Sequence, residues 1–95
     1  MAGPAARIAG LALGVLLLAA AGPAPLPAQG CLGCHGPEGR GSGAVPALAG
    51  REAAEIIAAM QAFQAGQRPA TIMDRIARGY TAGEIAAAAG YFAAP

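Results

Sequence analysis

The chain has 95 residues, a formal net charge of +1, 56% hydrophobic residues and 12% charged ones. That length holds at most one small domain, and the charged content is about half of the usual ~25%. All six cations are Arg, too few for the clustered basic face that binds nucleic-acid phosphates, and the charge is too low for a solvated disordered chain.

Ile8 to Ala21 is a 14-residue run without a charge, preceded by Arg7 and the N-terminal amine. A spanning helix needs about 20 such residues, whereas a signal-peptide core needs about 7–15. The segment therefore reads as an export signal over residues 1–28, with Leu26 and Ala28 as the small-residue pattern before Gln29. Cuts after Ala21 or Ala24 are alternatives, and retention as a membrane anchor is the competing reading. Both readings send the remainder across a membrane. Gly22-Pro23-Ala24-Pro25-Leu26-Pro27-Ala28 is expected to break any helix. The domain then runs from Gln29 to Pro95. Its aromatics are Phe63, Tyr80, Tyr91 and Phe92, and its other apolar residues are mostly Ala. A domain this small rarely stabilises itself by apolar burial alone, so something else is expected at its centre.

The two Cys and the single His lie together in Cys31-Leu32-Gly33-Cys34-His35. Behind an export signal, this spacing reads first as a c-type haem site: each thiol bonds one porphyrin vinyl group, and the adjacent imidazole reaches the iron. A zinc site lacks a fourth ligand, since no other Cys or His exists. A thiol redox pair or disulfide would normally sit at a strand-to-helix junction, and no segment alternates like a strand.

Gly36-Pro37-Glu38-Gly39-Arg40-Gly41-Ser42-Gly43 lacks the Lys-Ser/Thr ending of a phosphate loop and has no preceding strand. It reads as a compact turn close to a flat ligand. After Pro46-Ala47-Leu48-Ala49-Gly50, a helix is expected from about Arg51 to Ala65, with Ile56, Met60 and Phe63 on one stripe and Arg51 and Glu55 paired opposite. Gly66 is its stop. Pro69 makes Gln67 to Ala70 extended. Thr71 with Asp74 reads as a cap for a short helix to Arg78. Thr81 with Glu84 reads more clearly as a capping box for a last helix to about Ala93, with Ile85, Ala88, Ala89 and Phe92 on one stripe. The fold class is all-α.

With one histidine, bis-histidine ligation within the chain is excluded, and a methionine thioether is the common sixth ligand of such a haem iron. Met60 lies on the stripe of a regular helix and reads as core packing. Met73 follows the extended segment after Pro69, where the backbone can turn a side chain inward. It also has the reading of one apolar helix face with Ile76 and Ala77.

These residues resemble class I c-type cytochromes: Cys31-Leu32-Gly33-Cys34-His35-Gly36, then Pro46-Ala47-Leu48-Ala49-Gly50, then Met73, then a last helix ending in Tyr91-Phe92. The stretch from Arg68 to Tyr80 is similar to the cytochrome subunit of flavocytochrome c sulfide dehydrogenase and to cytochrome c4 and c553 relatives. The resemblance implies a small helical fold wrapped around one covalent haem c. It implies thioethers at Cys31 and Cys34, iron ligands His35 and Met73, and a Pro46 carbonyl that orients the imidazole. One departure stands out. The family has a helical turn or two before the first cysteine, which a cut after Ala28 leaves nearly absent.

The reading is a periplasmic monohaem electron carrier, not an enzyme. Its partners are redox proteins, with an exported flavoprotein subunit as one form, and it meets a membrane only if the signal segment is retained. Arg40, Arg68, Arg75 and Arg78 are either solvated charges or the border of a haem edge. An open-site haem sensor and a thiol or zinc module are the alternatives from other classes.

Overall fold

The computed structural model describes residues 22–94. The proposed signal core, Ile8 to Ala21, lies outside them. The described residues form four α-helices: α1 Leu26–His35, α2 Ala53–Gln64, α3 Met73–Ala77 and α4 Ala82–Ala93, with a 3-10 turn at Pro37–Gly39 after α1. Among the described residues the only strand-like pairing is an isolated bridge between Ser42 and Val45, so the all-α expectation holds.

The proline-rich run does not abolish the first helix, contrary to expectation. Pro25 is its N-cap in an extended conformation, and Pro27 falls in the first turn. Backbone N–H groups there have no helical partner, so the missing proline N–H costs nothing, and its fixed φ suits the turn. The helical lead into Cys31 is therefore present, and the expected boundary at Ala28 falls inside α1.

The core is small and built largely from alanine. Ala28, Ile56, Ala88, Ala89 and Phe92 form one buried cluster, with Leu32, Leu48, Ile57 and Tyr91 packed against it. Ala28 of α1 and Ala88 and Ala89 of α4 lack the bulk to hold two helices apart. Phe92, 2% exposed, is the largest fully buried side chain among the described residues. The stripe expected on α4 is buried at Ile85, Ala88, Ala89 and Phe92.

Helix ends show which sequence signals are used. At α4 the Thr81 hydroxyl accepts from the Glu84 N–H (3.1 Å), and the Thr81 N–H donates to the Glu84 carboxylate (2.9 Å). The analogous cap at α3 does not form. Its N-cap is Ile72, without a side-chain bond. Instead α3 is tied at its other end, where the Gln64 amide donates to the carbonyls of Ala77 (2.9 Å) and Tyr80 (3.0 Å). Carbonyls at a helix C-terminus have no partner within the helix, so this one side chain does the work of a cap. Just ahead of α2, Arg51 pairs with Glu55 of its first turn at 2.8 Å, as the spacing predicts, and Gly66 takes a left-handed φ of 68° just past its end.

Candidate functional site

The site is assembled around the last turn of α1. Cys31 and Cys34 are three residues apart, and residues at that spacing on a helix share a side. Both thiols are free, Cys31 half-buried and Cys34 exposed. Burial pushes the Cys31 thiol above its ordinary range, partly opposed by its hydrogen bond with Tyr80.

His35 ends α1 and is 8% exposed. Its Nδ1 lies 2.6 Å from the Pro46 carbonyl oxygen. A carbonyl oxygen only accepts, so Nδ1 must carry the proton and donate it. The neutral ring then has its lone pair on Nε2, the arrangement in which a histidine ligates a metal while its other nitrogen is held by the protein.

The loop from Gly36 to Gly50 brings Pro46 to His35, and its backbone bonds tie it to itself and to the helices on either side. The Gly41 N–H donates to the His35 carbonyl (2.6 Å), and the N–H groups of Leu48 and Ala49 both donate to the Gly39 carbonyl (2.7 and 3.0 Å). Gly39 has a φ of 73°, and a Cβ there would lie 2.5 Å from the Phe92 ring. Only glycine gives both that backbone angle and that approach. The Gly50 N–H then donates to the Phe92 carbonyl (3.0 Å), which fastens the loop to the end of α4.

Tyr80 makes a connection that spacing alone does not reveal. Its hydroxyl donates to the Pro27 carbonyl at 3.2 Å. A Cβ on Gly30 would lie 2.6 Å from the Tyr80 oxygen, so Gly30 is the notch that admits the phenol beside the first cysteine.

Met73 is the first residue of α3 and is half-buried. The hydrogen bonds of the His35 loop do not extend to it. Beside it, the Asp74 Oδ1 is buried without a hydrogen-bond partner among the described residues. Met60 is half-buried on α2 and is not a member of the core cluster. Of the four arginines read as a candidate haem border, two are engaged elsewhere: Arg40 pairs with Glu38 (2.6 Å), and the Arg68 guanidinium lies over the Phe63 ring, 5.0 Å from its centroid. Arg75 and Arg78 are exposed.

A family model described as cytochrome c matches residues 19–91, most of the chain. The chain belongs to the cytochrome c family. The haem domain is similar to the cytochrome subunit of sulfide dehydrogenase from Chlorobaculum tepidum, 42% identical over 62 residues, covering 65% of this chain and 56% of that protein. It is also similar to cytochrome c-552 of Acidithiobacillus ferridurans, 38% identical over 61 residues (64% of this chain, 26% of that protein). A third relative is the thiosulfate dehydrogenase electron acceptor of Stutzerimonas stutzeri, 43% identical over 67 residues (66% of this chain, 31% of that protein). The chain thus spans between about a quarter and just over half of the length of these relatives. Membership places this cytochrome domain among electron carriers and implies covalently bound haem c. The residues present fit that group: two free thiols at the attachment spacing, and an adjacent imidazole whose Nδ1–H is already taken by the protein.

Proposed function

We propose that the protein is an exported, periplasmic carrier of single electrons, with its haem attached through Cys31 and Cys34 and its iron held by His35 and Met73. The observation that carries this reading is the 2.6 Å bond from the His35 Nδ1–H to the Pro46 carbonyl, one residue from the second thiol. Haem supplies an iron that alternates between ferric and ferrous. The chain's own residues do the rest. The Pro46 carbonyl fixes the ring tautomer and raises the basicity of Nε2. Met73 supplies a thioether, a soft ligand that favours ferrous iron and raises the potential. With His35 and Met73 both serving as ligands, a haem held here would supply single-electron exchange and leave no site for a substrate.

Export is supported by the charge-free run Ile8 to Ala21, too short for a spanning helix. Among the described residues no helix is long and apolar enough to cross a membrane. The partner class is an exported dehydrogenase. A flavoprotein subunit is the finer reading, supported by the relative named as a cytochrome subunit of sulfide dehydrogenase. With five acids and six Arg in the whole chain, docking rests on local contact rather than on long-range charge steering.

The test is the visible spectrum of the purified exported protein, oxidised and reduced. The expected result is a c-type haem spectrum with a weak far-red band in the oxidised form, kept in Met60→Leu and lost in Met73→Leu. Loss of that band in Met60→Leu alone would move the sixth ligand to α2. For the partner, sulfide should reduce the haem only when the exported flavoprotein is added, and reduction by sulfide alone would remove the need for it.

A further inference from the structure

We infer that the export segment is cut between Ala21 and Gly22, and that the stretch from Gly22 to Ala28 belongs to the folded domain. The inference rests on the export reading above and concerns where the cut falls. Ala28 is 0% exposed and sits in the core cluster with Phe92. The Pro27 carbonyl accepts from the Tyr80 hydroxyl, and the Pro25 carbonyl accepts from the N–H groups of Ala28 and Gln29 (3.0 and 3.2 Å). A cut after Ala28 removes all of these together with the first turn of α1.

A cut after Ala24 spares Ala28 but still costs two contacts. Ala24 packs against the core cluster, and its carbonyl accepts from the Gln29 side chain at 3.0 Å. Gly22 and Pro23, by contrast, are exposed. Among the described residues the first to touch the core is Ala24, and the nearest upstream cleavage pattern with alanine at both required positions is Ala19-Ala20-Ala21, whereas a cut after Gly22 would set Pro23 directly behind the cut. A cut after Ala28 would place the larger Leu26 at the first of those positions. The family match also reaches back to residue 19, ahead of the whole of α1.

The step is a hydrolysis by a processing peptidase of the exporting membrane. Water adds across the Ala21–Gly22 peptide bond, Ala21 leaves as a carboxylate, Gly22 gains a free amine, and nothing is oxidised or reduced.

Intact mass and N-terminal sequencing of the haem-loaded protein test it, on the wild type, Ala21→Tyr and Leu26→Asp. Leu26 is 80% exposed, so its replacement leaves the core packing intact. The wild type and Leu26→Asp should both begin at Gly22, and Ala21→Tyr should lose the processed form. An N-terminus at Pro25 or Gln29 would overturn the inference, as would processing blocked by Leu26→Asp and not by Ala21→Tyr. Recovery of the wild type from the membrane as an uncut chain would overturn it too. Each of these leaves the protein exported. Wild-type chain confined to the cytoplasmic fraction would instead bring down the export reading, and this inference with it.

Discussion

On the His35 side, the backbone of one loop organises the site. The imidazole is held by Pro46, the His35 carbonyl by Gly41, and the Gly39 carbonyl by two successive N–H groups, while Gly50 ties the loop to α4. On the Met73 side, α3 is only five residues long, its N-cap makes no side-chain bond, and Ile72 is 55% exposed. The Asp74 Oδ1 is buried there without a hydrogen-bond partner among the described residues. The His35 side is held by the chain's own hydrogen bonds, whereas the proposed ligand Met73 would gain its hold from the haem iron. Histidine ligation should therefore outlast methionine ligation under any perturbation.

The sharpest way to break this contrast is at its hinge. Phe92 buries its ring against Gly39 and its carbonyl takes the Gly50 N–H. Phe92→Ala should cost about 3–5 kcal/mol, a large part of the ~5–15 kcal/mol available to a small domain. Denaturant unfolding of the holoprotein measures it, and a loss below about 1 kcal/mol would mean that the ring does not organise the loop.

A ligand change reads the contrast directly. Met73→Leu should keep the fold and the covalent haem, and its reduced form should bind carbon monoxide without denaturant. The wild type should do so only after partial unfolding. Equal binding by both would show that the sixth position is open from the start.

A smaller effect is expected beside Cys31. Gly30→Ala places a methyl group against the Tyr80 oxygen, 2.6 Å away before any adjustment. It should destabilise the domain, although Ala is favoured over Gly in a helix by about 0.8–1.0 kcal/mol. At Gly33 a Cβ meets nothing within 4 Å. Gly33→Ala should therefore raise the unfolding midpoint where Gly30→Ala lowers it, and matching signs would contradict the notch.

Tyr80→Phe is the smallest of these changes, about 1 kcal/mol for one hydrogen bond. Burial above all raises the Tyr80 pKa, and in the haem-free chain the neighbouring Cys31 adds to the rise. Its neutral form is thus favoured by folding. That contribution is complete below the ordinary phenol value of about 10 and is lost as the pH rises through the raised one. The stability gap between wild type and Tyr80→Phe should close at alkaline pH, and a gap that widened there would reverse the sign.

Local signals in the sequence were legible, and contacts between distant residues were not. The Thr81–Glu84 box and the α4 stripe follow from spacing and are found as spaced. The start of α1 was hidden because a proline-rich run reads as a breaker, while its one helical proline falls in the only turn that tolerates it. Thr71 and Asp74 have capping spacing without a cap, since the helix begins at Met73. Gln64 and the pairing of Tyr80 with Gly30 carry no periodic signature, because each joins segments far apart in the chain. Pro46 came from family resemblance alone, and its carbonyl does meet the imidazole.

The central claim is that haem is bound covalently at Cys31 and Cys34. Adding a thiol across each vinyl group loses no atoms. Intact mass of the denatured, exported protein, made in cells competent for cytochrome maturation, should therefore equal the processed chain plus one whole haem. In Cys31→Ala/Cys34→Ala it should equal the chain alone. A wild-type mass equal to the bare polypeptide would contradict the account.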